Sequence, residues 1–142
     1  MSADCVFCKI VSGAIPSLRL FEDRHAVAFL DIAPLAPGHT LLVPRRHATR
    51  LIDLPPDELA DVVRPLPRLA RAVLEASGAE GLNVLQNNGP AAGQVVEHVH
   101  IHLIPRRRGD GLGFRWNAGR YGAGEAEDIA ARLRRALECA GA

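Results

Sequence analysis

His98, His100 and His102 stand at alternate positions in EHVHIHLIP, residues 97–105, with Val99, Ile101 and Leu103 filling the gaps. The chain has six histidines, so half of them fall in this one short stretch. In an extended chain, side chains two apart point to the same face, which aligns the imidazoles and turns the aliphatic residues toward a core. Imidazole near neutral pH serves as nucleophile, general acid–base or metal ligand. Neighbours along a strand are about 6.6–6.8 Å apart. Adjacent ones are therefore too far apart to share one tetrahedral ion, whose Zn–N bonds are about 2.0–2.1 Å. Three histidines with separate jobs are expected. An idle polar face would more usually carry Thr, Lys or Glu.

Just upstream lies QNNGPAAGQ, a glycine-containing loop whose backbone amides could turn toward an anion. Joined to the aligned histidines, it points to attack on a phosphoryl centre. One imidazole would act as nucleophile, while the others and the loop amides stabilise the equatorial oxygens. Cys5 and Cys8, in CVFC, are a second reactive pair. With Cys139 as the remaining cysteine there is no disulfide framework, and Cys5-x-x-Cys8 reads as half of a metal site or as a redox pair.

The elements that must hold these groups follow from periodicity. CVFCKIVSG reads as one or two helical turns closed by Gly13; LRLFED, HAVAFLDI and TLLVP read as strands separated by turns. From Pro55 to Ser77 the apolar residues Leu59, Val62, Val63, Leu66, Leu69, Val73 and Leu74 recur at helical spacing. Pro65 and Pro67 interrupt it and predict a kink or two helices meeting at an angle. LNVLQN is a strand, VVEHVHIHLIP a long one, and EAEDIAARLRRALECA a final helix with a stripe of Ile129, Leu133 and Leu137. This order predicts an α+β fold with a mostly antiparallel sheet of about five strands, a long kinked helix and a C-terminal helix.

Composition bounds the rest. A chain of 142 residues, 48% hydrophobic and 23% charged, is expected to form a single domain spanning residues 1–142. A net charge of +1 predicts no strong attraction to nucleic acid or an anionic membrane. Arg45–Arg46 and Arg106–Arg108 read as solvated surface. There is no membrane-length apolar run and no signal-peptide pattern, so a cytoplasmic location is expected.

HVHIHLI fits the pattern of the histidine triad (HIT) superfamily of nucleotide hydrolases and transferases. CVFCKIVSGAIPS, FEDRHAVAFLDIAPLAPGHTLLVPRRH and QNNGPAAGQVVEHVHIHLIPR resemble its compact bacterial branch over about residues 5–107, and GDGLGFRW resembles a common bacterial ending. The resemblance implies a homodimeric HIT-like fold that binds a nucleoside monophosphate beside the histidine strand. By motif position His100 is the nucleophile that takes the nucleotidyl phosphate, with the His98 backbone carbonyl accepting its other ring proton. His102 contacts phosphate oxygens. Asp31, beside Ile32, accepts the ribose hydroxyls, and Asn87, Gly93, Gln94 and Val95 surround the phosphate and leaving group. His39 is a further site histidine. Val6, Phe7, Ile10 and Phe29 would form an apolar slot for the base.

With those roles assigned, His47 and His98 remain as candidates to complete the cysteine half-site. In zinc-bearing relatives the equivalent residues hold one ion. Cys5, Cys8, His47 and His98 would thus form a closed structural zinc site, one per chain. The resemblance implies cleavage of purine nucleoside phosphoramidates or related adenylates to an AMP-type product, through a nucleotidyl-histidine intermediate. Two alternatives stand beside it: a dinucleoside polyphosphate hydrolase, and a zinc-stabilised nucleotide-binding or interaction module with little turnover. For a second nucleoside only Trp116 and Arg106–Arg108 offer themselves. One departure matters. Many phosphoramidase relatives carry a hydroxyl residue where this chain has Val95.

Overall fold

Short β-branched and aromatic runs bounded by glycine and proline turns become five strands in the computed structural model, which describes residues 2, 4–113 and 118–140. Phe114 and Trp116 of GDGLGFRW lie outside the described residues. The chain divides into two compact units, Met1–Leu112 and Gly113–Ala142.

In the first unit, α1 (Val6–Ser12) precedes β1 (Arg19–Glu22), β2 (Ala26–Leu30) and β3 (Thr40–Pro44). Next come α2 (Pro56–Val63), α3 (Leu66–Ser77), β4 (Gly81–Gln86) and β5 (Ile101–Arg106). The strands form one sheet in the order β1-β2-β3-β5-β4, every neighbour antiparallel. The second unit holds α4, Glu125–Ala140. Its stripe meets no core of its own, for Leu133 and Leu137 remain 57% and 70% exposed.

The predicted break at the prolines is present. Neither Pro65 nor Pro67 can donate an amide to the preceding turn, so α2 ends at Val63 and α3 begins at Leu66. The two helices cover one face of the sheet, where Val62, Leu69 and Val73 pack on Ala26, Ala28, Leu42, Ile101 and Leu103. α1 covers the other face through Phe7, Ile10 and Val11, packed on Val27, Phe29, Leu41 and Val43. Cys5 caps its start and Gly13 ends it at φ 82°, a left-handed conformation that glycine adopts without strain.

Strand parity puts His102 on the α1 face. Phe29 pairs with Leu41, and Leu41 with His102, which in turn faces Leu85 on β4. Asp31 lies just past β2, His39 just before β3 and Asn87 just past β4, and His39 reaches His102 from that position.

One expectation is corrected. VVEHVHIHLIP predicts a long strand, yet the ladder holds only Ile101–Arg106, and His98 and His100 precede it in an irregular segment that bends at residues 96–98. The neighbouring strand explains this, because β3 ends at Pro44, which has no N–H for the ladder. The Pro44 carbonyl takes the His98 ring instead, at 2.9 Å, while the Val99 amide bonds the Ala48 carbonyl at 2.8 Å.

Candidate active site and metal cluster

Hydrogen-bond partners fix which ring nitrogen carries the proton in four histidines, working outward from groups whose role is unambiguous. The His98 carbonyl can only accept, so His100 donates from Nδ1 at 2.7 Å, and the neutral ring then has its lone pair on Nε2. The Leu35 N–H can only donate, so His39 accepts on Nδ1 at 3.1 Å and carries its proton on Nε2. That proton is donated to His102 Nδ1, 2.9 Å away. Neutral His102 therefore presents Nε2–H. The outcome is a bare nitrogen on His100 beside a ring donor on His102, their ring centroids 4.9 Å apart.

Both donors are held neutral. Burial lowers the pKa of His102 to about 4, assisted by the charges that His100 and His39 would carry. Burial likewise lowers that of His39, opposed by the Asp31 carboxylate. Asp31 Oδ2 lies 3.7 Å from His39 Nε2, while its Oδ1 accepts the Ala33 amide at 2.9 Å.

The loop between β4 and β5 turns tightly at Gly89 and Gly93, both at positive φ (85° and 86°) that suit glycine. Gln94 is buried and fully engaged. Its side chain accepts from the Gly89 N–H at 2.7 Å and donates to the Thr49 and Val96 carbonyls at 2.6 and 3.1 Å. Its own amide bonds the Gly89 carbonyl, and the Gly93 amide bonds that of Pro90. Gln94 therefore braces the loop and has no donor left for an anion. Among the described residues, the Asn87 side-chain amide and the Val95 N–H have no partner. The Val95 side chain is 90% exposed.

Phe7, Ile10 and Phe29 pack in one cluster, and the Phe7 ring meets His100 edge-on at 5.0 Å. Val6 and Ile32 are 39% and 97% exposed. The structure thus brings Phe7 to the histidines themselves and leaves Val6 and Ile32 at the surface. The arginine run is occupied elsewhere, with Arg106 bonding Asp110 and Asn83 and Arg107 bonding the Ser77 carbonyl.

The donor atoms of Cys5, Cys8, His47 and His98 all lie within 4.8 Å of one another. Zn–N bonds of about 2.0–2.1 Å and Zn–S bonds of about 2.3 Å set tetrahedral N–N edges near ~3.4 Å and S–N edges near ~3.6 Å. The observed separations match: 3.3 Å for His47 Nδ1–His98 Nδ1, 3.4 Å for Cys5–His98 and Cys8–His47, and 3.6 Å for Cys8–His98. His98 donates Nε2–H to Pro44, which leaves Nδ1 free to ligate and braces the ring as outer partners of metal-bound histidine do. These residues fit a zinc ion. Asp31, His39 and His102 also converge, but His39 Nε2 holds a proton there and has no lone pair to give.

Sequence reasoning named these side chains but not the backbone groups that bond them. The Leu35 amide, the Pro44 and Thr49 carbonyls and the Gly89 amide belong to the site, and a backbone group leaves no mark in residue type.

Residues 12–109 match the family model of the HIT domain. The chain belongs to the HIT family. Among HIT relatives, an adenosine 5′-monophosphoramidase of Candida albicans is 45% identical over 121 residues, 82% of this chain and 80% of that protein. The crystal structure of SMU.412c from Streptococcus mutans superposes with a TM-score of 0.92 at 36% identity, covering 96% of this chain and 87% of the other. A zinc-bound histidine triad protein from Mycobacterium smegmatis superposes with a TM-score of 0.73 at 42% identity, covering 94% and 97%. This HIT protein is an enzyme of the hydrolase type that its named relatives represent.

Proposed function

We propose that the protein hydrolyses purine nucleoside phosphoramidates or related adenylates through a covalent nucleotidyl-His100 intermediate. The observation that carries this reading is the bond from His100 Nδ1 to the His98 carbonyl, which leaves Nε2 as the free nucleophile. His100 Nε2 attacks phosphorus, the P–N bond breaks, and the amine departs with a proton. Water then attacks the adduct, releases the nucleoside monophosphate and restores His100. The His102 Nε2–H, the Asn87 amide and the Val95 N–H supply donors for the phosphate oxygens as charge builds up. Asp31 holds the ribose hydroxyls, and the base lies against the apolar surface from Val6 to Phe29, with Ile32 at its rim. The Val95 side chain has no acidic proton to give, so water protonates the leaving amine.

Cys5, Cys8, His47 and His98 hold one structural zinc, which when bound fixes four side chains around a closed tetrahedral centre. His98 belongs to both sites, through its ring to the cluster and through its carbonyl to His100. The protein acts as a homodimer, in keeping with the exposed stripe on α4. It works in the cytoplasm, where Cys5 and Cys8 stay reduced.

Rapid quenching and intact-mass analysis test the reading. An adenylyl adduct is expected that vanishes in His100→Ala, with kcat reduced by about 10³-fold or more and nucleotide binding retained. An adduct that survives in His100→Ala but is lost in His102→Ala would reverse the two roles. In the same assay kcat/KM for adenosine phosphoramidate should exceed that for diadenosine polyphosphates. Arg106 is paired with Asp110 and Arg107 is tied to the Ser77 carbonyl, so neither guanidinium is free to turn to a polyphosphate leaving group. A tenfold preference for a diadenosine polyphosphate would overturn the substrate choice.

A further inference from the structure

The two cysteines that converge on the metal cluster also lie where a bond between their sulfurs can form. Cys5 is the N-cap of α1, and its Sγ accepts the Cys8 N–H at 3.4 Å, one helical turn on. The sulfurs are within 4.8 Å of each other. Rotation of the side chains can bring them to the bond length of about 2.05 Å that a disulfide requires. Cys5 is partly exposed and Cys8 buried, so an oxidant reaches Cys5 first.

We propose that Cys5 and Cys8 are an oxidant-sensitive pair whose disulfide excludes metal binding, so that a peroxide switches the enzyme off reversibly. This rests on the zinc and His100 readings above. The Cys5 thiolate attacks one peroxide oxygen, the O–O bond breaks, and hydroxide leaves as a sulfenic acid forms. The Cys8 thiolate then attacks the Cys5 sulfur, the S–O bond breaks, and a second hydroxide leaves. Two protons from solvent convert both hydroxides to water. Two electrons pass from sulfur to peroxide.

The consequence reaches the histidines through His98. Its Nδ1 faces both sulfurs, at 3.4 and 3.6 Å, and its carbonyl holds the His100 proton at 2.7 Å. A disulfide offers no thiolate, so only the His47 and His98 rings remain for a dication, and the segment that positions His100 loses its anchor.

The test uses full-length Cys139→Ser protein, reduced and zinc-loaded, exposed to hydrogen peroxide beside a chromogenic zinc chelator. Zinc should pass to the chelator in step with the loss of both thiols. Peptide mapping should find a Cys5–Cys8 link two hydrogens lighter than the thiol form. kcat should fall about tenfold or more and recover with dithiothreitol and added zinc. Zinc retained at full occupancy while the thiols oxidise would overturn the proposal. So would oxidation of Cys5 to a sulfinic acid that thiols do not reverse. Reduced protein that takes up no zinc sinks the metal reading and this switch together. Reduced protein that forms no adduct sinks the hydrolase reading and with it the effect on kcat, while zinc release and the disulfide still report on the oxidant-sensitive pair.

Discussion

His39 and His102 form a directed relay whose polarity is set by one backbone amide, Leu35 N–H. Because both rings are neutral at pH 7, His102 presents a proton-bearing nitrogen beside His100 without adding a full charge there. The same burial has a cost in acid. Folded His102 takes up a proton only near pH 4, whereas its unfolded counterpart does so near 6.5. Between those values the unfolded chain binds more protons, so stability falls as pH falls. The contribution is intact above pH 6.5 and is lost as pH drops through 4. Thermal melts from pH 7 to 4 should show a steady decline in Tm, shallower in His102→Gln. An unchanged slope in that variant would assign the acid sensitivity to other groups.

At the level of elements, the loop between β4 and β5 is held by a side chain, since Gln94 ties Gly89 to the Thr49 and Val96 carbonyls. Gln94→Ala leaves the Gly89 N–H and the Thr49 carbonyl unpaired, at a cost of about 1–3 kcal/mol, while the Val96 carbonyl keeps the His98 amide. The loop amides then lose their fixed position. Urea unfolding should register the loss, and KM should rise while the His100 adduct still forms. A variant with wild-type KM would mean that the loop holds its shape without the brace. β3 has a similar double use. Pro44 ends the ladder, and its freed carbonyl orients the His98 ring toward the cysteines.

For the molecule as a whole, the metal cluster joins the N-terminal helix, the segment after β3 and the histidine segment, which are far apart in sequence. A zinc at that junction would bind the folded chain more tightly than the unfolded one, so its binding energy would add to stability. Native mass spectrometry of untagged protein should show a dimer with one zinc per chain. Stripping the metal, or Cys8→Ser, should lower Tm clearly and slow adduct formation, because His98 loses its anchor. Metal-free protein with an unchanged melt would refute the structural role.

Much of this was legible in the sequence because local spacing carries it. The alternation of His98, His100 and His102, the Cys5-x-x-Cys8 half-site, the Pro65/Pro67 break and the bounds of α4 are patterns within a few residues, where strand and helix periods act. HIT membership was legible for the same reason, as ordered short motifs. Tertiary structure alone decided how those pieces are used. Folding brought His39 to His102 and Asp31 to His39, and Pro44 ended β3 where the His98 ring could turn toward the cysteines. Leu35 chose the tautomers, and Gln94, expected at the phosphate, became a brace. Each of these outcomes depends on a backbone N–H or C=O brought close by folding. Backbone groups are nearly the same in every residue, so a sequence cannot say which of them will meet a given side chain.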